Sequence, residues 1–448
     1  MNKYLDFKNK YKTFIYDSYK IDDLEDKLVL TFNYEIEGLS KFNHVINIYK
    51  KDNINYDYKY LEKLVFNIGM IEAVSYWKLT CSPNIKVNCG YLDEYQINWF
   101  KKLFFIGLGE FFYVNDININ QEDIFSLECS NRVYNEALNK ELKDNLILVG
   151  GGKDSVVSLE ILKNYNNGVL IINKRQICFD CAHLAGYTDD KIYNIERKID
   201  PRLLELNNQG FLNGHVPISG AYAFISYLCA YLYGYKNIVL SNESSANEES
   251  VKGTDINHQY SKSYEFEKNF REYSNKYLGE INYFSLLRPL NELQIMKIFS
   301  KYPKYFNTFI SCNNGGKINN IGKTDSWCLN CPKCLFIYII FSNFISDDKL
   351  TQIFGENLLD RKDLLNYFIE LTGNSDKKPF ECVGTIEEVN YSIMNKINNS
   401  SHLPYLLENY KNNYYNDNYD KSILNRFNDV NFIPEDMLKL VKDELYND

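Results

Sequence analysis

One run of residues offers more chemistry than any other in this chain: Leu146-Ile147-Leu148-Val149-Gly150-Gly151-Gly152-Lys153-Asp154-Ser155. A short apolar stretch ends in three glycines, and a helix-like stretch from Asp154 to Leu162 follows at once. Strand, glycine turn and helix start together build an anion site. Free N–H groups at the helix N-terminus point at the ligand, and the helix dipole favours negative charge. The expected ligand is a phosphate. A Walker A loop is excluded, because Lys153 is followed by Asp154 rather than Ser or Thr. A dinucleotide fingerprint is excluded too, because Ser155 stands where its third glycine belongs.

A second group is Cys328-Leu329-Asn330-Cys331-Pro332-Lys333-Cys334, with Cys312 separated from it by fifteen residues. A four-thiolate zinc site accepts this spacing, and four protein ligands leave no open position, so the expected role is structural. An iron–sulfur cluster also takes four thiolates. A Cys-x-x-Cys pair, Cys178 and Cys181, stands near the expected phosphate loop, as a redox pair, half a metal site or two ordinary thiols.

Polar runs complete the set. Asn242, Glu243 and Asn247 follow the apolar run Asn237–Leu240 and are expected to orient a polar ligand. Asn213 and His215 lead into a helix that Pro217 suits as a first-turn residue. In Asn257–Glu265, a helical reading puts His258, Lys262 and Glu265 on one face. His258 and Lys262 are then placed to hold an acid or exchange a proton. On that reading Phe266, Phe270, Tyr273 and Tyr277 form the apolar stripe.

Positioning these groups calls for an α/β fold. Strands are predicted at 146–149, 168–172 and 236–241, and helices at 154–165 and 217–234. This is the rhythm of a parallel sheet covered on both faces. Ligands in such sheets sit beyond the carboxyl ends of the strands. That gathers loops 150–155, 173–185 and 242–258. Residues 1–140 read as an α+β accessory or substrate domain, with strands at 27–34 and 42–49 and helices at 60–75 and 95–108. Residues 141–345 read as the phosphate-binding domain, and 346–448 as a helical C-terminal region.

At 448 residues two or three domains are expected. A net charge of −9 does not suit general nucleic-acid binding, which rests on phosphate neutralisation. The apolar windows Tyr222–Tyr235 and Leu335–Ile345 are too short to span a bilayer. The first residues lack a secretory stretch, so a cytoplasmic protein with reduced or metal-bound cysteines is expected.

Gly150–Ser155 resembles the PP-loop of the adenine-nucleotide alpha-hydrolase superfamily, Ser-Gly-Gly-x-Asp-Ser, with Gly150 in place of the leading serine. The resemblance implies ATP cleavage between the α and β phosphates. It also implies a pyrophosphate cradle at Gly150, Gly151 and Gly152, Asp154 near Mg2+, and a phosphate contact from Ser155. Several runs together resemble the UDP-N-acetylmuramoyl-L-alanyl-L-glutamate epimerase family, MurL. They are Val149–Ser155, Asn213–Pro217, Ser241–Ala246, Asn257–Lys262, Trp327–Cys334, Ile353–Leu359 and Lys378–Gly384, in that order.

The family resemblance implies an ATP- and magnesium-dependent epimerisation. The terminal L-glutamate of UDP-MurNAc-L-Ala-L-Glu becomes D-glutamate, with AMP and pyrophosphate released, in peptidoglycan precursor synthesis. Adenylating the carboxylate cancels its charge, so that a base can take the neighbouring α-proton. His258, Lys262, Lys153 and Cys382 are the catalytic candidates, His258 first; Cys382 is included because thiol pairs serve as acid and base in cofactor-free racemases. Asn213, His215, Asn242, Glu243, Asn247 and Asn257 are the substrate-binding candidates. The alternative is base modification by a related enzyme, of the 7-cyano-7-deazaguanine synthase or tRNA-thiolating kind. Against it stand the long gap from Cys312 to Cys328, the Asn257–Lys262 run and the acidic charge.

Overall fold

The strand β2 (Lys27–Ile36) alternates strictly between buried and half-buried residues, as a ribbon with one face on a core must. Its neighbours are β1 (Thr13–Asp23) and β3 (Ser40–Tyr49), both antiparallel to it. The short strands β4 (Asn84–Val87) and β5 (Ser126–Cys129) extend this group, running parallel to β1. A second group holds β6 (Lys143–Leu148), β7 (Asn167–Ile172), β8 (Ile192–Lys198), β9 (Tyr235–Leu240) and β10 (Asn282–Ser285), all parallel. This computed structural model describes residues 3–51, 54–173, 175–312, 326–415 and 419–447.

Among the described residues the two groups form one ten-stranded sheet, ordered β10-β9-β6-β7-β8-β3-β2-β1-β4-β5. The sheet therefore runs on across residue 140, through an antiparallel pairing of β3 with β8 from Val45–Lys198 to Ile48–Ile195. Beside that seam, the buried Glu72 carboxylate receives Arg197 Nε at 2.7 Å and Nη2 at 2.5 Å. Within the parallel group, the order from β8 to β10 is third, second, first, fourth, fifth. That is the doubly wound order, whose direction reverses between β6 and β9 and opens a crevice at their carboxyl ends.

Strand residues alternate between two cores. Leu146, Leu170 and Ile238 face one that includes the helix Ile218–Tyr233; Ile147, Val169 and Val239 face the other, with the helices Lys153–Ile161, Glu292–Ser300 and Pro332–Phe341. Ile218–Tyr233 begins after Pro217 and stops at Gly234, whose φ of 85° is the left-handed stop common at helix ends. Beyond 346 the chain is helical, in Asp347–Phe354, Leu365–Leu371, Ile386–Asn399, Tyr405–Asn413 and Glu435–Tyr446.

Two local expectations are corrected. The loop predicted at 173–185 is mostly the helix Gln176–Leu184. The helix predicted through Asn257–Glu265 is a turn with a 3-10 segment at Tyr260–Lys262. The α-helix begins only at Tyr264, capped by Ser263 Oγ accepting from Phe266 N at 3.2 Å. His258 and Lys262 therefore do not share a helical face. Phe266, Phe270 and Tyr273 are buried as the stripe predicted, with Tyr277 packed against them.

Candidate active site

The glycine run leaves β6 and turns directly into the helix Lys153–Ile161, with Gly152 at its N-cap. Gly151 has φ +79°, and a Cβ there would lie 2.8 Å from Ile177 Cγ2 and 3.4 Å from Cys178 Sγ. A Cβ on Gly152 would come 2.8 Å from Ser311 Oγ. The loop is pinned from outside by Ile310 N donating to Gly151 O at 3.0 Å. Ser155 Oγ donates to Gly152 O at 3.0 Å. Ser311 Oγ is buried without a hydrogen-bond partner among the described residues.

A cavity of about 330 Å³ opens at this loop, in the crevice between β6 and β9. Gly150, Gly152, Asp154 and Ser155 line one side; Asn242, Glu243, Lys262, Lys333 and Cys382 line others. Lys153 does not face it. Its ammonium is buried in ion pairs with Asp154 and Glu292, and Lys333 reaches Glu292 Oε1 at 3.2 Å. Burial opposes the charge on Glu292, but the two lysines overcome it and hold the carboxyl down at about 2. Glu243 is the reverse case: burial, then the charges of Glu292 and Asp154, push it up to about 7.

The deepest chemistry is at Cys382. Lys262 Nζ lies 3.1 Å from its Sγ, and His258 is a second cationic neighbour of the same thiol. Burial alone would push this thiol up; Lys262 and His258 outweigh burial and bring it down to about 6. His258 is opposed by burial as a cation, yet Cys382 and Glu110 raise it to about 9. A thiolate facing a cavity beside two cations is a base or nucleophile.

The four sulfurs of Cys312, Cys328, Cys331 and Cys334 lie within 4.8 Å of one another. Cys328 to Cys334 is 3.7 Å and Cys331 to Cys334 is 3.5 Å. Sulfurs at about 2.3 Å from a tetrahedral zinc would sit about 3.8 Å apart, so this donor set fits such a cage. Cys331 also caps the helix Pro332–Phe341, and Cys312 forms part of the cavity wall.

The remaining predicted residues are distributed more widely. Asn242 Nδ2 donates to Ser285 Oγ at 3.1 Å at the cavity edge. Asn213 Oδ1 accepts from Lys78 Nζ at 2.9 Å. The His215 ring lies 4.2 Å from that of His258, and burial lowers its pKa to about 3. Asn247 and Asn257 line a different hollow and serve as local caps: Asn247 Oδ1 accepts from Tyr264 N at 2.9 Å, and Asn257 Oδ1 from Gln259 N at 2.7 Å. Cys178 and Cys181 are buried beneath the glycine loop, with Cys181 Sγ 3.8 Å from Gly151 O and its thiol pushed up to about 12 by burial.

Comparison with known proteins settles the family. The MurL N-terminal domain matches residues 6–286 and the MurL C-terminal domain residues 308–408. The chain belongs to the MurL family. It is 36% identical over 322 residues to the UDP-N-acetyl-alpha-D-muramoyl-L-alanyl-L-glutamate epimerase of Xanthomonas oryzae pv. oryzae, spanning 71% of this chain and 70% of that one. It is 31% identical over 398 residues to the protein of the same name from a Micromonospora species, spanning 84% of each. No solved structure matches the chain. In MurL terms, the N-terminal match ends one residue past β10, so it takes in the whole sheet.

Four further residues at this MurL site were not evident from the sequence. Glu292 pairs with both Lys153 and Lys333, and Glu110 reaches His258 from the first third of the chain. Arg288, fully buried, donates to the backbone carbonyls of Glu243 and Lys262 at 2.7 Å each and pairs with Glu267 at 2.8 Å. Lys333 carried a signal, since it lies inside the cysteine motif. Glu110, Arg288 and Glu292 carried none.

Proposed function

We propose that the protein inverts the α-carbon of the terminal L-glutamate in UDP-N-acetylmuramoyl-L-alanyl-L-glutamate, using ATP and Mg2+ and releasing AMP and pyrophosphate. One observation carries the reading beyond family membership. Cys382, a thiol poised as thiolate by Lys262 and His258, lines the same cavity as the glycine loop.

The α-proton of a free carboxylate is hard to remove, because the resulting enolate carries two adjacent negative charges. ATP, when bound, supplies the AMP that cancels one of them. The N–H groups of Gly150–Gly152 and the start of the helix Lys153–Ile161 are suited to the phosphates, with the Ser311 hydroxyl beside them. Asp154 lines the cavity where Mg2+ would be held; Lys153 is a positioning residue, fixing Asp154 against Glu292. Cys382 takes the α-proton, and Lys262 and His258 stabilise its charged form. Return of a proton from the opposite face inverts the centre, and water then cleaves the acyl adenylate, releasing AMP and the free carboxylate. The four cysteines would hold zinc in a closed cage, fixing one cavity wall through Cys312. No helix among the described residues is long and apolar enough to cross a membrane.

The test is incubation with UDP-N-acetylmuramoyl-L-alanyl-L-glutamate, ATP and Mg2+, following AMP release and the chirality of the product glutamate. AMP and D-glutamate are expected together, and Asp154→Ala should lose both. AMP without D-glutamate would redirect the reading to another adenylated acid; neither product would refute it.

A further inference from the structure

The N-terminal third of the chain reaches into the site through one side chain. The helix Gly109–Val114 packs against three segments distant in sequence, and small residues allow the approach. A Cβ on Gly107 would lie 2.7 Å from Pro217, and one on Gly214 would lie 3.1 Å from Phe111. Gly109 faces Ile256, and Tyr113 meets Phe380 edge-on with ring centroids 5.8 Å apart. These contacts fix Glu110 between the loop that carries His258 and the loop that carries Cys382. Its carboxylate binds His258 Nδ1 directly, across 148 positions of sequence, and lies 4.0 Å from His215 Nδ1. Both Glu110 and His258 are mostly buried, with side chains 15% and 12% exposed.

We propose that Glu110 is the positioning residue of a Cys382–His258–Glu110 relay, and that the N-terminal part of the chain thereby completes the active site. This rests on the reading of Cys382 as the base. The logic is that of a nucleophile or base oriented by an imidazole, itself oriented by a third group. With Nδ1 held by a carboxylate, the ring cannot rotate away from the thiol, and its cationic form is stabilised where burial would discharge it. The charged groups that act most strongly on the relay agree with one arrangement. Cys382 faces Lys262 and Lys333 as well as His258, all cations. His258 faces Cys382 and Glu110, both anions. His215, tilted against His258 and facing Lys262 and Lys78, stays neutral and adds no competing charge. The same two lysines disfavour a metal ion at Glu110, His215 and His258, although the spacing of those three groups would admit one.

The experiment reads thiolate formation apart from turnover. In the intact chain, the rate of alkylation of Cys382 by iodoacetamide is followed against pH by peptide mass spectrometry. Epimerisation kcat and KM are measured alongside. Glu110→Gln keeps the shape and removes the charge. Its alkylation midpoint is expected about one pH unit above wild type, equivalent to roughly tenfold less thiolate on the acid side. Its kcat is expected to fall roughly 10- to 100-fold with KM nearly unchanged. Glu110→Asp, with the charge retained but withdrawn by one methylene, should fall between the two, and it serves if Glu110→Gln does not fold. An unmoved midpoint in either folded variant overturns the relay. A moved midpoint in a protein whose wild type fails to epimerise the substrate supports the relay and refutes the function reading.

Discussion

Replacing Lys262 with glutamine should displace the titration of Cys382, and the size of the effect can be worked out. The thiol sits at about 6 against an ordinary value of 9.0, and Lys262 is the leading cause that lowers it. Without the ammonium, burial and the His258 contact oppose one another, and the ordinary value becomes the reference. At pH 7 the thiolate fraction then drops from about 0.9 to about 0.01, roughly 90-fold. Alkylation at pH 7 will not fall that far, because a thiolate of higher pKa is intrinsically more nucleophilic. With a Brønsted coefficient of about 0.45, a rise of three pKa units returns roughly 20-fold, leaving a net loss of only about fourfold. At pH 5 the fractions differ by about 900-fold, so the net loss is about 40-fold. The decisive observable is therefore the midpoint of the alkylation profile, which should move from near 6 to near 9, with retained circular dichroism as the folding control. A midpoint that stays near 6 would show that Lys262 does not hold the thiolate, and the account of the base would fail.

The same two groups set the pH dependence of epimerisation. Cys382 is lowered, so its anion is present above about 6 and lost below; His258 is raised, so its cation is present below about 9 and lost above. kcat/KM should be bell-shaped with limbs near those values, and a profile flat from pH 5 to 8 would remove Cys382 as base. Cys334→Ser should lower bound zinc, measured by atomic emission, well below one per chain and reduce thermal stability; full metal content would exclude the four-cysteine cage. Arg288→Met leaves Glu267 buried without its ion-pair partner, which should cost about 3–5 kcal/mol in urea unfolding. The variant should also lose kcat, because the loops bearing Glu243 and Lys262 share that guanidinium; unchanged stability would contradict the buried pairing.

What the sequence made legible was local. Val149–Ser155 could be read because strand, glycine turn and helix start are consecutive, and Ile218–Tyr233 because Pro217 and Gly234 mark its ends. The cysteine quartet could be read because ligand spacing survives in one dimension, and its sulfurs do converge. What escaped depended on contacts between distant segments. Glu110 is a lone glutamate between Gly109 and Phe111, and nothing nearby marks it; its place follows from Gly107 against Pro217 and Gly214 against Phe111. Ile192–Lys198 carries Glu196 and Lys198 in a strand, because the far end of β8 pairs with β3 rather than lying in the apolar interior. β10 is four residues long, too short for periodicity to show. His258 and Lys262 share no helix face, because a tight turn carries them.

The β3–β8 seam limits how this enzyme can be taken apart. Cutting the polypeptide near residue 140 would strip two ribbons of their partners and leave raw hydrogen-bonding borders on each fragment, the usual seeds of clumping. Hybrids that borrow the leading portion from a cousin must therefore bring a border that zips in step with Ile195–Lys198, together with a carboxylate for Arg197. Grafts that ignore that match should come out of cells as sediment rather than as a sluggish catalyst.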